Sequence, residues 1–291
     1  MSHIFNFTLE ELKDQLGKLK NASAGVDRMT KACFPDSDDN LKKLLSFCNA
    51  LVFSRDQIPN QLRQTILYLI PKTAEKMRGL CVGTRLSALI DRLMASRVEP
   101  LILQSDSHPR RFGFLPETGV EEHLGSTFSK LDYFKNKGYK VATFQADIEG
   151  AYDNVPHVEA VLSMHDLVRE KFGKESGHEY LVWYTMRWIH RRTVCYSGQV
   201  FVVRKAIPQG SPFSCIVFVT FLNYNPPENL ADNVWLGIFA DDVTFIVAAL
   251  SHHAVKEILR ILIMDFTKWL NFRQMSFAPD KSLIHVYMDS Y

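Results

Sequence analysis

The chain has 291 residues, 46% of them hydrophobic and 23% charged, which is ample for a large packed core and excludes global disorder. Lys and Arg total 34 against 32 Asp and Glu, a formal charge of +2, so bulk electrostatics do not mark a nucleic-acid binder and any polyanion must be held by locally placed charge. Five dispersed cysteines without a CxxC pair argue against a disulfide framework or structural zinc, the apolar run from Cys215 to Leu222 is far shorter than the roughly 20 residues of a bilayer span, and no secretory signal is expected from MSHIFNFTLEELK.

Thr8 with Glu11 three residues on, and Leu9, Leu12, Leu16 and Leu19 on one face, predict an N-capped helix ending near Lys20. The loop from Asn21 to Asp27 follows, then a helix over about 38–54 carrying Leu41, Leu44, Leu45 and Leu51. Ile66 to Ile70 reads as a short strand stopped by Pro71. From Thr84 to Leu103, apolar residues at helical spacing alternate with Arg85, Arg92 and Arg97, giving a helix with a wet basic face and Pro100 as its candidate break point.

Lys140 to Ile148 reads as a buried strand, and Pro156 to Phe172 and Tyr180 to His190 as helices. Val194 to Ala206 predicts a hairpin turning at Ser197-Gly198, and Ser214 to Leu222 a buried helix. Val234 to Leu250 is a hairpin with Asp241-Asp242 at its turn, followed by a helix over about 252–270 and a strand near 283–287. With no repeat and no flexible linker, one continuous α+β unit is the economical reading.

Three segments carry chemistry. Asp241 and Asp242 lie between apolar runs, where unpaired carboxylates cost several kcal/mol unless a cation or a solvated turn compensates. Asp147 sits where the strand from Val141 leaves the core, placed to meet those carboxylates across a sheet. Three converging carboxylates would hold two Mg²⁺ ions, with substrate phosphates filling the remaining octahedral positions. Each segment alone is equally an ordinary structural feature, a surface Asp-Asp turn or a strand-end acid capping a helix. The third segment, Ile207-Pro208-Gln209-Gly210-Ser211, is a turn into a helix, whose amides can approach a base pair or phosphate closely.

The ordered set Ala146-Asp147 with Ala151-Tyr152-Asp153, then Ile207 to Ser211, then Phe239-Ala240-Asp241-Asp242, resembles the palm motifs of reverse transcriptases, specifically those of non-LTR (LINE-type) retrotransposons. The loop Ser23 to Asp27, Ile70-Pro71-Lys72, Arg78, the helix from Thr84, Arg111-Phe112-Gly113-Phe114 and Phe277-Ala278-Pro279-Asp280-Lys281-Ser282 agree with that family.

The resemblance implies an α+β right-hand polymerase core, with fingers over 1–100 joined by 154–205, and a palm of 101–153 and 206–291 in which helices pack on an antiparallel sheet. It implies an RNA-directed DNA polymerase using Mg²⁺, or Mn²⁺, with an RNA template, a primer strand and dNTPs as partners, in the nucleus or cytoplasm and away from membranes. By resemblance Asp147, Asp241 and the Ile148 carbonyl bind metal, and Asp242 supports them. Tyr152 gates the sugar, because its ring would meet a ribose 2′-OH. Lys72 and Arg78 neutralise the triphosphate, Gln209 and Gly210 line the nucleotide pocket, and Lys281 protonates the leaving pyrophosphate.

Cys215 stands where relatives often have Pro, and the segment from Lys72 to Arg78 is short for the family. The chain ends soon after the lysine motif, so a thumb is expected to be missing, supplied by a further segment of a longer polyprotein or by a separate chain. No endonuclease segment is expected within it either. Two alternatives stand beside this reading. One is an RNA-dependent RNA polymerase, disfavoured by Tyr152 and by Ala240 where that class usually has Gly. The other is a truncated or domesticated core that binds RNA or protein without catalysis. Near-neutral charge is then the sum of an acidic centre and a basic rim of Lys72, Arg78, Arg110, Arg111 and the arginines of the 84–103 helix.

Overall fold

The computed structural model describes residues 5–20, 25–54, 56–103, 111–114, 119–223 and 230–287. In chain order these form α1 (Leu9–Gly17), α2 (Asp38–Phe53), the single turn α3 (Asn60–Arg63), β1 (Gln64–Pro71), β2 (Met77–Val82) and α4 (Arg85–Leu103). Next come β3 (Arg111–Phe112), α5 (Val120–Asn136), β4 (Lys140–Asp147), the single turn α6 (Ala151–Asn154), α7 (His157–Phe172) and α8 (Tyr180–Ile189). The rest is β5 (Thr193–Tyr196), β6 (Gln199–Val202), α9 (Pro212–Asn223), β7 (Val234–Phe239), β8 (Asp242–Ala249), α10 (His252–Phe272) and β9 (Leu283–Tyr287). Two compact units divide the chain: residues 1–104 with 155–221, and residues 105–154 with 222–291.

The first unit holds a four-stranded sheet in the order β2-β1-β5-β6, parallel between β1 and β5 and antiparallel elsewhere. α1 starts on the expected capping box, with the Thr8 amide donating to Glu11 Oε2 at 2.7 Å and the Glu11 amide to Thr8 Oγ1 at 3.2 Å. α2 has the expected span, but Leu44, Leu45 and Leu51 are only half-buried; Leu41, Cys48 and Val52 form its buried stripe. β1 does not stop before Pro71. It includes that residue, paired with Met77 at the mouth of the β1–β2 hairpin, where the Lys72 amide donates to the Lys76 carbonyl at 2.8 Å.

α4 also departs from expectation. It runs through Pro100, which is exposed and lies in the last turn, so that a single intrahelical hydrogen bond, to the Ser96 carbonyl, is forgone. Its arginines are half-buried rather than wet: Arg97 Nη2 donates to Glu11 Oε2 at 2.8 Å and to the Asn6 carbonyl at 3.0 Å. The hairpin at Ser197-Gly198 is as predicted, both residues having positive φ (49° and 78°), the signature of a tight two-residue turn matched to strand twist.

The second unit is built on a five-stranded sheet, β3-β7-β8-β4-β9, antiparallel except for the β3–β7 pair. The pleat sorts its side chains onto two faces. Val141, Trp235, Ile246 and Ala248 pack against Leu131 and Phe134 of α5. On the opposite face Phe144 and Phe245, directly across β4 and β8, stack at 6.2 Å and 10°, and Phe266 of α10 meets Phe245 edge-on at 5.3 Å. Burial on both faces explains the nearly continuous apolar runs of β7 and β8. Gly237 in β7 is held to glycine by this packing, since a Cβ there would come within 2.3 Å of the Trp235 ring and 2.9 Å of His123 Cε1.

Candidate active site

The register of β4 and β8 brings the acids together. Asp147 and Asp242 are directly opposed residues at the ends of the two strands, and Asp242 also pairs with Phe239 across the β7–β8 hairpin. That leaves Ala240 and Asp241 as a two-residue turn, with Ala240 at φ +54°, a position where glycine would be less strained. Asp241 therefore sits at the apex. Its carbonyl accepts from the Ile148 amide at 3.1 Å, which ties the turn to the backbone just past Asp147. Asp147 and Asp241 are half-buried, Asp242 is exposed and Ile148 is 1% exposed.

The lysine motif runs alongside. The Ala278 amide donates to the Asp147 carbonyl at 2.8 Å, Ile148 bridges Phe277, and the Glu149 amide donates to the Ser276 carbonyl at 2.9 Å. A 3₁₀ turn, Pro279–Lys281, then swings Lys281 Nζ to within 2.5 Å of Asp147 Oδ2. Like charges opposed across a ladder repel, and the Lys281 ammonium supplies a compensating cation. The hydrogen bond to Asp147 raises the Lys281 pKa, with further attraction from Asp147, Asp280 and Asp241 opposing a small burial penalty. Tyr152, on α6 four residues after Ile148, is half-buried and meets the Phe114 ring edge-on at 6.3 Å and 79°.

The remaining predicted site residues belong to the first unit. Lys72 lies in the β1–β2 loop and Arg78 in β2 opposite Ile70, both exposed. Gln209 is half-buried, and its carbonyl accepts from the Cys81 amide at 2.8 Å. Gly210, at φ +113°, passes so close to β2 that a Cβ would lie 3.0 Å from the Cys81 carbonyl oxygen. Thus Asp147, Ile148, Tyr152, Asp241, Asp242 and Lys281 share one unit, and Lys72, Arg78, Gln209 and Gly210 the other. Residues 21–24 of the upstream loop and Arg110 of the basic rim lie outside the described residues, and of Arg111 only the backbone is described.

Motif spacing does not reveal β2, whose exposed Met77 and Arg78 and central Gly79 break any alternation. The short apolar strand before Pro71, followed by a five-residue polar loop, is the signal for it. A half-open cleft of about 510 Å³ in the first unit, lined by Ile58, Arg63, Trp183, Met186, Arg187 and His190 among others, contains none of the predicted residues. Its Arg187 guanidinium is occupied by the carbonyls of Leu51, Val52 and Asp56.

Residues 70–290 match the family model described as reverse transcriptase (RNA-dependent DNA polymerase). The chain belongs to the reverse transcriptase family. Over 185 residues it is 23% identical to the Retrovirus-related Pol polyprotein from type-1 retrotransposable element R1 of Bradysia coprophila, a match spanning 62% of this chain and 17% of that polyprotein. Among solved structures it is similar to apo telomerase from Candida tropicalis truncated from the C-terminal domain, with TM-score 0.59 and 13% identity, covering 81% of this chain and 52% of that one. Telomerase from Candida albicans in complex with a TWJ fragment of telomeric RNA gives TM-score 0.57 and 10% identity over 86% of this chain and 46% of that one.

The fold is accordingly the α+β right-hand polymerase fold of reverse transcriptases, and the chain spans about half the length of these solved relatives. No helix among the described residues is long and apolar enough to cross a membrane.

Reverse transcriptases use divalent metal ions as a family. Among the described residues no three His, Cys, Asp or Glu side chains group as a metal site by themselves. The donor chemistry nevertheless fits a hard cation: the carboxylates of Asp147 and Asp241 with a neighbouring backbone carbonyl offer only oxygen donors, a set that substrate phosphates and water would complete.

Proposed function

We propose that this reverse transcriptase chain is the polymerase core of a non-LTR retrotransposon, adding deoxynucleotides to a primer 3′-OH on an RNA template. The observation that carries the reading is the β4–β8 register, which opposes Asp147 to Asp242 and sets Asp241 at the adjoining turn, tied to Ile148. Asp147, Asp241 and the Ile148 carbonyl would hold Mg²⁺, or Mn²⁺; bound there, the ions supply Lewis-acid activation of the 3′-hydroxyl and neutralise charge on the triphosphate. Asp242, exposed beside them, strengthens the negative field that attracts the ions.

Lys281 balances the charge of Asp147 and, as a protonated amine, can pass its Nζ proton to the departing pyrophosphate. Lys72 and Arg78 take the triphosphate, Arg by forked contacts and Lys as a point charge. Gln209 and Gly210 line the nucleotide pocket. Tyr152, propped by Phe114, presents its ring to the sugar and excludes the 2′-OH.

Extension of a DNA primer on an RNA template tests this, with dNTPs and rNTPs offered separately. The expected result is metal-dependent extension with dNTPs, and relaxed sugar selection in Tyr152→Ala. Preferential use of rNTPs by the wild-type chain would refute the reading, and unchanged discrimination in the variant would refute the gate.

A further inference from the structure

We propose that Asp91, on α4, is a positioning residue for the Gln209-Gly210 turn and that, through Ser211, it sets how tightly the incoming nucleotide is held. The inference rests on the polymerase reading above, which puts Gln209 and Gly210 at the nucleotide. Asp91 is 4% exposed among Leu89, Ile90, Leu93 and Met94, themselves buried. Both of its carboxylate oxygens are engaged. Ser211 Oγ donates to Oδ2 at 2.5 Å, and Tyr184 Oη on α8 donates to Oδ1 at 3.3 Å.

Ser211 has one hydroxyl proton and gives it to Asp91. Its oxygen then accepts from the Phe213 amide at 3.2 Å, so the same atom caps the first turn of α9, where Pro212 has no N–H to satisfy. The turn has two further anchors: Ser214 Oγ on the Pro208 carbonyl at 2.7 Å and the Cys81 amide on the Gln209 carbonyl at 2.8 Å. Those grip Pro208 and Gln209. Asp91 grips the far side, immediately after Gly210, whose φ of +113° is a conformation that needs holding from both sides.

The cost of the arrangement argues for its purpose. A carboxylate buried in an apolar helix face is expensive, and burial pushes the Asp91 pKa up to about 6 against the pull of Ser211, Arg192, Tyr184 and Trp188. Part of that cost is offset by the positive charge of the buried Arg192 and by the Tyr184 hydroxyl. What the carboxylate supplies is a charge-assisted hydrogen bond, roughly twice as strong as a neutral one, aimed at the one residue that joins the Gln209-Gly210 turn to α9.

The test compares wild type, Asp91→Asn, Ser211→Ala, Ser211→Thr and the Asp91→Asn/Ser211→Ala pair, reading dNTP KM and kcat separately, amide exchange over residues 208–214, and the thermal midpoint. Losing this bond is expected to raise the dNTP KM about tenfold in Ser211→Ala, with kcat within about twofold. Exchange at the Phe213 and Ser214 amides should quicken, Ser211→Thr should restore both, and the double variant should be no worse than the poorer single one. Unchanged KM with only a lowered midpoint, or additive losses in the pair, would overturn the proposal. A wild-type chain that extends no primer would overturn the polymerase reading and the nucleotide effect together. Unaltered exchange in both single variants would overturn the anchor whatever the activity.

Discussion

The two units support the side chains proposed for function in opposite ways. Strands β7 and β8 and most of β4, at whose ends and turn Asp147, Asp241 and Asp242 sit, are covered on both faces, and Phe245, three residues from Asp242, is 0% exposed. In the other unit, Lys72 and Arg78 ride the outer end of a hairpin where apolar side chains stand in solvent, with Ile70 44% and Met77 55% exposed. Carboxylates that share a cation must hold their spacing to within a fraction of an ångström, so they need a rigid support. Cations that gather a triphosphate act over a longer range and tolerate a hairpin with few buried contacts, the kind of element that opens locally at low cost.

Stability should separate the regions most sharply. Phe245→Ala empties a fully buried site between β4, β8 and α10 and is expected to cost about 3–5 kcal/mol in chemical denaturation. Phe201→Ala on the exposed strand β6 should stay within about 0.5 kcal/mol. Comparable losses at both positions would erase the distinction.

A second effect lies in the pH dependence of stability. Asp91 faces Tyr184 and Trp188 on α8, Ser211 before α9, and Arg192, and its pKa rises to about 6 because burial disfavours the charged form. A folded-state pKa above the unfolded value means that the native state holds the proton more tightly. Its contribution is then complete below about pH 4 and is lost as pH rises through about 6, an effect of about 3 kcal/mol. Urea denaturation between pH 4 and 7.5 should show wild type losing that much relative to Asp91→Asn. Parallel profiles for the two proteins would contradict it.

The smallest expected effect is on the hairpin cations. Lys72→Ala and Arg78→Ala should each raise the dNTP KM about tenfold, the worth of one charge-assisted phosphate contact, with no change in unfolding midpoint. A large fall in midpoint would mean that the hairpin is as tightly integrated as the acidic sheet.

Much of this contrast was legible in the residues. Strands buried on both faces write long apolar runs, which is why β4, β7 and β8 and the turn at Asp241 can be read directly, and the Thr8 capping box and Ser197-Gly198 turn follow from local chemistry alone. The exposed hairpin leaves a weaker mark. β2 shows no alternation and only the short apolar run Leu80-Cys81-Val82, half-buried at the end of a strand whose Met77 and Arg78 stand in solvent. The arginines of α4 were misleading for a related reason, since helical spacing shows which face is charged but not that Glu11 and the Asn6 carbonyl come across to meet Arg97. Proximity in space also hid two links between distant parts of the chain, Lys281 to Asp147 and Asp91 to Ser211. The first could be expected from the resemblance of the motif; nothing in spacing announces the second.

The opposed strand ends and the apex of the β7–β8 turn are proposed as the chemical centre. Primer extension on an RNA template by wild type and Asp241→Ala, at matched protein concentration and with unfolding midpoints recorded for both, tests it most directly. A metal-dependent rate is expected in wild type that falls roughly thousandfold in the variant, about 4 kcal/mol of transition-state stabilisation, while the midpoint stays put because Asp241 is a half-buried turn residue. A variant that extends the primer within a few-fold of wild type would contradict it.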